Sequence, residues 1–455
     1  MRIGIITVFS VLGLSLLSFN VTGQTSLTDL VKYAVKHSHD IQKLDLQNKE
    51  AYYIRKEAIG HGLPQIEASA SYSKMLLPEI TIPTSVYQFI DYKITDESTK
   101  QMLTGVLDKV SNLGSLYMAS AGVQVTQLLY SQAYWVGVKT TQKTQELYTL
   151  LKSKTEEDVI ADVAATYYQT GSLMLQLETL NKSILNLKEI YRITELSYQN
   201  DMVKESTVDR LKVTITNLDV TKKTIENGIA VQLNYLKALT GMPGDSALNV
   251  STATVVNDFV ANEPTSGFRV ESVPSYLVLK KQDEIYSQQI KQSRATYYPT
   301  LAAYGKLNYS SYNLEAKIGK MSNMTTIGLS FSMPLFTSGV NHAKVEQTLL
   351  KRAELNEDIM KTKDLLSVNY NNAYLEYQTS RDMIASQKEN MELALKVYNQ
   401  TSSLYQEGMS SMADLLNVNS DYLQADNSYN QQIMKCKMAE IKMLNASGNL
   451  KSLVK

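Results

Sequence analysis

The sequence predicts a mainly α chain with membrane β, organised as two tandem repeats of helix, strand, strand, long helix and helix. Three observations carry that prediction. The stretch YQEGMSSMADLL, Tyr405 to Leu416, lies between two long apolar-periodic runs. An earlier stretch repeats it: YQNDMVKESTVDRL from Tyr198 sets Tyr on Tyr, Gln on Gln, Met202 on Met409 and Val208 on Leu415. Period-two alternation occurs in two pairs of stretches, one pair ahead of each copy of that motif. Pro and Gly are scarce, 8 and 20 in 455 residues, with no linker-like tract, which favours a few very long elements over several domains.

Composition narrows the function classes. Lys plus Arg equals Asp plus Glu, 45 against 45, so no nucleic acid partner is indicated. The single cysteine, Cys436, rules out an intrachain disulfide framework; in step with Tyr422, Tyr429, Ile433 and Met443, it reads as a core residue. The first residues carry one basic residue, an apolar run from Ile3 to Leu17 and small residues ending at Gly23, the form of a signal peptide over 1–23. The mature chain is expected to start near Gln24, outside the cytoplasm. No later stretch reaches the roughly 18 consecutive apolar residues of a transmembrane helix, so any further crossing has to use strands.

The first repeat spans 24–244. A helix is predicted from Ser26 to about Gly60, with Leu27, Leu30, Val31, Ala34 and Val35 on one face and Ser26 or Thr28 as its cap. Gly60, Gly62 and Pro64 end it. Strands follow at about 66–74 and 119–127, with Ile66, Ala68, Ala70 and Tyr72, then Ala119, Ala121, Val123 and Val125, alternating with polar or small residues. The 75–118 stretch between them reads as a long loop with a short helix around Ser98 to Leu113. A helical hairpin covers 133–240, with its tip at 198–209 and seam residues Ile160, Val163, Tyr167, Met174, Leu177, Leu180, Ile184 and Leu187 at spacings of three and four. Roughly 65 residues at about 1.5 Å each make a rod of about 100 Å.

A polar connector spans 245–272, and the second repeat, 273–455, starts the plan again. A helix from about Ser275 leads to Pro299, which matches Pro64. Strands are predicted at about 301–309 and 325–333, with Leu301, Ala303, Gly305, Leu307 and Tyr309, then Ile327, Leu329, Phe331 and Met333, on one face. The second hairpin covers 340–447, with its tip at 405–416. At each tip one helix stops and another starts. Gly408 suits the left-handed stop, Asp201 stands in its place in the first copy, and Ser410, Ser411 or Asp414 is available to cap the return helix. Polar seam interruptions such as Asp158 and Asp426 read as solvated.

Each strand has the length and alternation of a tilted membrane strand, with Tyr72, Tyr130, Tyr309 and Phe336 at strand ends where aromatic girdles sit. Four strands are too few to close a barrel, and an open edge in lipid leaves amides unpaired at several kcal/mol each. If the strands enter a membrane, several copies have to share one barrel. The other reading of the same residues is a small soluble sheet at the end of a helical rod.

With these features in view, the chain resembles the TolC-like outer membrane efflux proteins over essentially its whole mature length. The resemblance rests on the doubled plan, Pro64 and Pro299, the MPLF of Met333 to Phe336, and above all YQEGMSSMADLL. It implies a homotrimer in outer membrane lipid, with one 12-stranded β-barrel continued by a periplasmic α-helical barrel and an equatorial belt from the connector and termini. It also implies a periplasmic adaptor (membrane fusion) protein at the tips and an inner-membrane transporter of RND, ABC or MFS type. In that family the second tip holds a Tyr, an Arg and two Asp residues at the periplasmic gate. The Tyr falls on Tyr405 and the first Asp on Asp414, but the Arg position is Ser410 and the second Asp position Asn417, so a salt-bridged latch is half missing. The first tip departs too, with Asp201 for Gly and Thr207 for Asp. Asp414 is left with two readings, a ring of three carboxylates at the aperture or a cap on the return helix. Adaptor contact is expected at Asp201, Met202, Val203, Gly408 and Met409.

No phosphate loop, HExxH, nucleophile elbow or CxxC occurs, and His37, His39, His61 and His342 form no metal-ligand spacing, so neither an enzyme nor a cofactor is expected. The function expected is an outer membrane exit duct exporting small molecules such as drugs or other toxic compounds. A type I protein secretion channel and a poreless periplasmic coiled-coil scaffold are the alternatives. By position, the 75–118 loop is expected outside the cell, over the pore mouth.

Overall fold

The structure is a computed structural model, and the residues it describes are 25–76, 81–111, 115–250, 268–313 and 315–451. The signal peptide reading and most of the connector, 251–267, lie outside them. The chain divides into two compact units. One, helical, comprises 1–49, 147–281 and 355–455; the other, carrying the sheet, comprises 50–146 and 282–354. Among the described residues no helix is long and apolar enough to cross a membrane.

In the helical unit, Ser26 accepts from the amide of Asp29 and its hydroxyl donates 2.7 Å to the Asp29 carboxylate, opening α1, Leu27–His37. The single helix predicted from Ser26 to Gly60 is two: Ser38 takes an extended backbone and α2, His39–Gly60, starts beyond it. The cause is a close approach. Gly241, at φ 74°, lies so near the His37 carbonyl that an added Cβ would meet that oxygen at 2.4 Å. Leu27, Leu30, Val31 and Ala34 of α1 are buried with Val163, Tyr167 and Leu236, the best-buried part of the unit's core. Thr25 pairs with Val250 in a single parallel bridge.

The hairpins are built from helices of matched length. In the first, α5 (Gln132–Gln199) has 68 residues and α6 (Glu205–Thr240) has 36. In the second, after α7 (Pro274–Ala295), α8 (Val340–Gln406) has 67 and α9 (Met412–Ser447) has 36. Both return helices end on a left-handed glycine, Gly241 and Gly448, whose amide and the next one bond back to the last turn. Cys436 is buried, and burial pushes its thiol up to about 11, which leaves it unreactive. Asp426 is a correction to the solvated reading: it is buried and accepts 3.0 Å from the Asn430 amide, which a buried carboxylate needs.

In the other unit, β1 (Gln65–Leu76), β2 (Ser115–Ser131), β3 (Thr300–Asn313) and β4 (Ser322–Ser332) form one antiparallel sheet in the order β1-β2-β3-β4. The strands outrun their predicted ends, because pairing continues where alternation has faded: Leu76 faces Ser115 and Tyr117 faces Asn313. Only β4 ends early, at Ser332, with Met333 beyond it. The register gathers every apolar set on one face. Ile66 faces Val125, which faces Gly305, which faces Ile327; Val123 faces Leu307, Ala121 faces Tyr309, and Leu301 faces Phe331. The other face carries the row Glu67, Gln124, Lys306 and Thr326, and a hydrogen bond between the Ser71 and Ser120 hydroxyls. Both outer strands, β1 and β4, are exposed almost throughout on both faces.

Between β1 and β2 the expected loop with one short helix is a helical pair, α3 (Thr84–Lys93) and α4 (Glu97–Ser111). The Tyr87 hydroxyl donates to Asp108, and Lys100 pairs with Asp91.

Candidate functional site

The two tips share one backbone geometry despite different residues. At the first, Asp201 takes φ 59°, its amide bonds to the Tyr198 carbonyl and that of Met202 to Ser197; at the second, Gly408 takes φ 77°, bonding to Tyr405, and Met409 bonds to Leu404. Each is the left-handed stop that satisfies the last carbonyls of a helix. Asp tolerates that conformation less well than Gly, so the first tip carries strain that the second lacks. The restarts differ. Ser411 caps α9 by accepting from the Asp414 amide, and its hydroxyl donates 2.6 Å to the Asp414 carboxylate. Lys204 opens α6 with no side-chain cap.

The structure binds the carboxylate of Asp414 into this cap, on an exposed turn, and does not bring it to Tyr405. The Tyr405 hydroxyl lies 3.0 Å from the hydroxyl of Thr194, on the outgoing helix of the other hairpin. Thr194 also donates 2.8 Å to the Ile190 carbonyl, so it accepts from Tyr405 with its hydrogen already committed. Nearer the middle of the rods, the Ser183 hydroxyl donates 2.7 Å to Asn419, in a buried setting. Leu187, Ile190, Leu211, Ile215, Tyr398, Met412 and Leu415 form the apolar cluster between these links. Ser410 and Asn417 take no part in either link. At the extreme ends Met202 is 78% exposed and Met409 65%, with Asp201 and Gly408 also exposed and Val203 half-buried.

Thr194, Ser183 and Asn419 were not singled out in the sequence. For Thr194 a signal was present: Thr401 stands four residues before Tyr405 as Thr194 does before Tyr198, so the repeat doubles the pair.

A second polar region lies in the same helical unit. A cavity of about 460 Å³ is lined by Lys154, Glu157, Asp158, Asn369, Glu376 and Lys442, among others. Glu157 is buried, and burial pushes its carboxyl up to about 7, with Asp158 and Glu156 adding to the rise and Lys451 opposing it.

The chain thus combines a sheet that has a mainly apolar and a polar face with two long helical hairpins that end in exposed tips. Residues 277–449 match the family model described as "Outer membrane efflux protein". Its similarity to outer membrane protein TolC of Salmonella enteritidis is 22% identity over 240 residues, 50% of this chain and 48% of that protein. The chain thus aligns with about half the length of the curated relatives it matches. Among solved structures, the outer membrane protein VceC of Vibrio cholerae superimposes with a TM-score of 0.68 at 15% identity, covering 93% of this chain and 96% of that one. The CmeC outer membrane channel of Campylobacter jejuni gives 0.71 at 16% identity, covering 93% and 85%.

Proposed function

We propose that the chain is an outer membrane exit duct, an efflux channel closed from three copies. The observation that carries this reading is the register of the sheet. Four strands place a mainly apolar face, interrupted by Gln127 and Thr325, opposite a polar one, and leave β1 and β4 as free edges. In lipid each free edge has to be paired, and pairing β1 of one copy with β4 of the next closes twelve strands in a trimer. The apolar face then meets lipid, and the row Glu67, Gln124 and Lys306 lines a water-filled lumen. A poreless scaffold leaves the exposed apolar face without a solvent that suits it.

The hairpins run into the periplasm, and the exposed tip residues Met202, Val203 and Met409 meet an adaptor protein serving an inner-membrane transporter of RND, ABC or MFS type. Cargo is driven by that pump, with small toxic molecules such as drugs as the class; this chain supplies the path and its gate. The gate is held by the hydroxyl link from Tyr405 to Thr194 in place of the salt-bridged latch, and Asp414, bound to the Ser411 cap of α9, sets a carboxylate from each copy at the aperture.

Single-channel conductance in a planar bilayer tests this. Wild type is expected to give small discrete steps. Tyr405→Phe removes one link per copy, about 1 kcal/mol each or about fivefold in the ratio of open to closed tip, so mean current rises. Asp414→Ala lowers cation preference. Folded trimers that stay silent in wild type and in Tyr405→Phe would remove the duct reading.

A further inference from the structure

We propose that a cavity of about 590 Å³ in the sheet-bearing unit holds the headgroup of a phospholipid whose phosphate is followed by a primary ammonium, taken from the periplasmic leaflet. The proposal rests on the membrane reading of the apolar face. The cavity is lined by Arg294, Tyr297, Tyr298, Pro299, Met333, His342, Val345 and Glu346, where α7 ends and α8 begins. Its place in the fold is set by the sheet. Pro299 and Met333 stand two residues beyond Leu301 and Phe331, the last directly opposed pair of the apolar face. The cavity therefore opens where the lipid-facing surface stops, the level at which headgroups lie. Beside it Leu335 and Phe336 are 91% and 86% exposed, an apolar anchor of the kind found at such a level.

The lining has two signs of charge in an order that suits a zwitterion. Arg294, in the last turn of α7, brings a forked cation suited to a phosphate. His342 and Glu346 lie one turn apart on α8, so they share a helix face. Glu346 supplies the anion for an ammonium, and the Tyr297 and Tyr298 rings supply faces that attract one. None of Arg294, His342 and Glu346 makes an ion pair with another described residue, so the charges remain available for a ligand. Basic pockets at this depth of a membrane protein hold lipid headgroups for the same reason. A glycerol headgroup would satisfy Arg294 alone and leave Glu346 without a cation.

The test uses the full mature protein, reconstituted in nanodiscs of equal parts phosphatidylethanolamine and phosphatidylglycerol, then released for native mass spectrometry. Wild type is expected to retain phosphatidylethanolamine in preference. Arg294→Ala should lower lipid retention about tenfold, the worth of one charge-assisted phosphate contact. Glu346→Gln should keep retention but erase the preference for ethanolamine over glycerol. Equal retention by wild type and Arg294→Ala, both inserted and trimeric, would overturn the site; equal binding of both lipids by wild type would overturn its selectivity for an ammonium. Failure of wild type to insert at all counts against the membrane reading instead, and insertion is scored separately by protease protection of the sheet.

Discussion

Lys437→Met is expected to lower the stability of the helical unit by about 3–5 kcal/mol, because it strands a buried charge. Lys437 and Glu440 lie one turn apart on α9, both buried, with the ammonium 2.9 Å from the carboxylate and 5.6 Å above the ring of Tyr168. Tyr168 belongs to the core around Tyr167, so the pair sits against the best-packed part of the unit. Removing the ammonium leaves Glu440 desolvated without the charge that lies 2.9 Å from it, whereas removing both charges leaves only a change of shape. The double variant Lys437→Met with Glu440→Leu should therefore recover most of the loss. Thermal unfolding in detergent of the wild type, the two single variants and the double variant checks this. A double variant as unstable as the sum of the singles would show that the pair is not coupled.

Glu157→Gln is expected to raise stability at about pH 8 and to flatten its dependence on pH. The Glu157 carboxyl rises from 4.5 to about 7 in the folded chain, with burial as the main cause. Below about pH 4.5 both folded and unfolded chains hold the proton, and the site carries no penalty. As pH rises through 7 the unfolded chain has already released its proton while the folded chain has to ionise a buried acid. The loss amounts to about 3 kcal/mol above the folded value, from about 1.4 kcal/mol per unit. Lys451 lies near enough to offset part of it and is itself paired 2.7 Å from Glu156. Melting temperatures at about pH 5 and pH 8 separate the outcomes. Wild type should fall by several degrees more than Glu157→Gln; parallel curves would remove Glu157 as the cause.

Much of the fold was legible because it obeys short periods. The seam spacing of α5 and the alternation in β1 to β4 are local signals, and the tip motif announces itself by recurring. The misses have tertiary causes. Helix α1 stops at His37, where Gly241 arrives from two hundred residues away, and the local mark of the break, Ser38 ahead of Asp40, is slight beside the apolar periodicity that runs up to it. Asp426 reads as a solvated residue on its own helix; only the packing around it shows that it is buried. The strand extensions at Leu76 and Ser115 come from pairing, which alternation over nine residues does not reach. At the tips the link from Tyr405 goes to Thr194, across to the other hairpin, a partner that no spacing along one helix announces.

Cysteine labelling of two adjacent β2 positions in outer membranes tests the central claim most directly. Ala121 lies on the apolar face opposite Tyr309, and Ser120 on the polar face opposite Ser310. With the buried Cys436 replaced by serine, a water-soluble maleimide should label Ser120→Cys and spare Ala121→Cys, while both label after unfolding. Equal labelling of the two in the membrane would mean that water reaches both faces, and that the sheet does not form the wall of a pore.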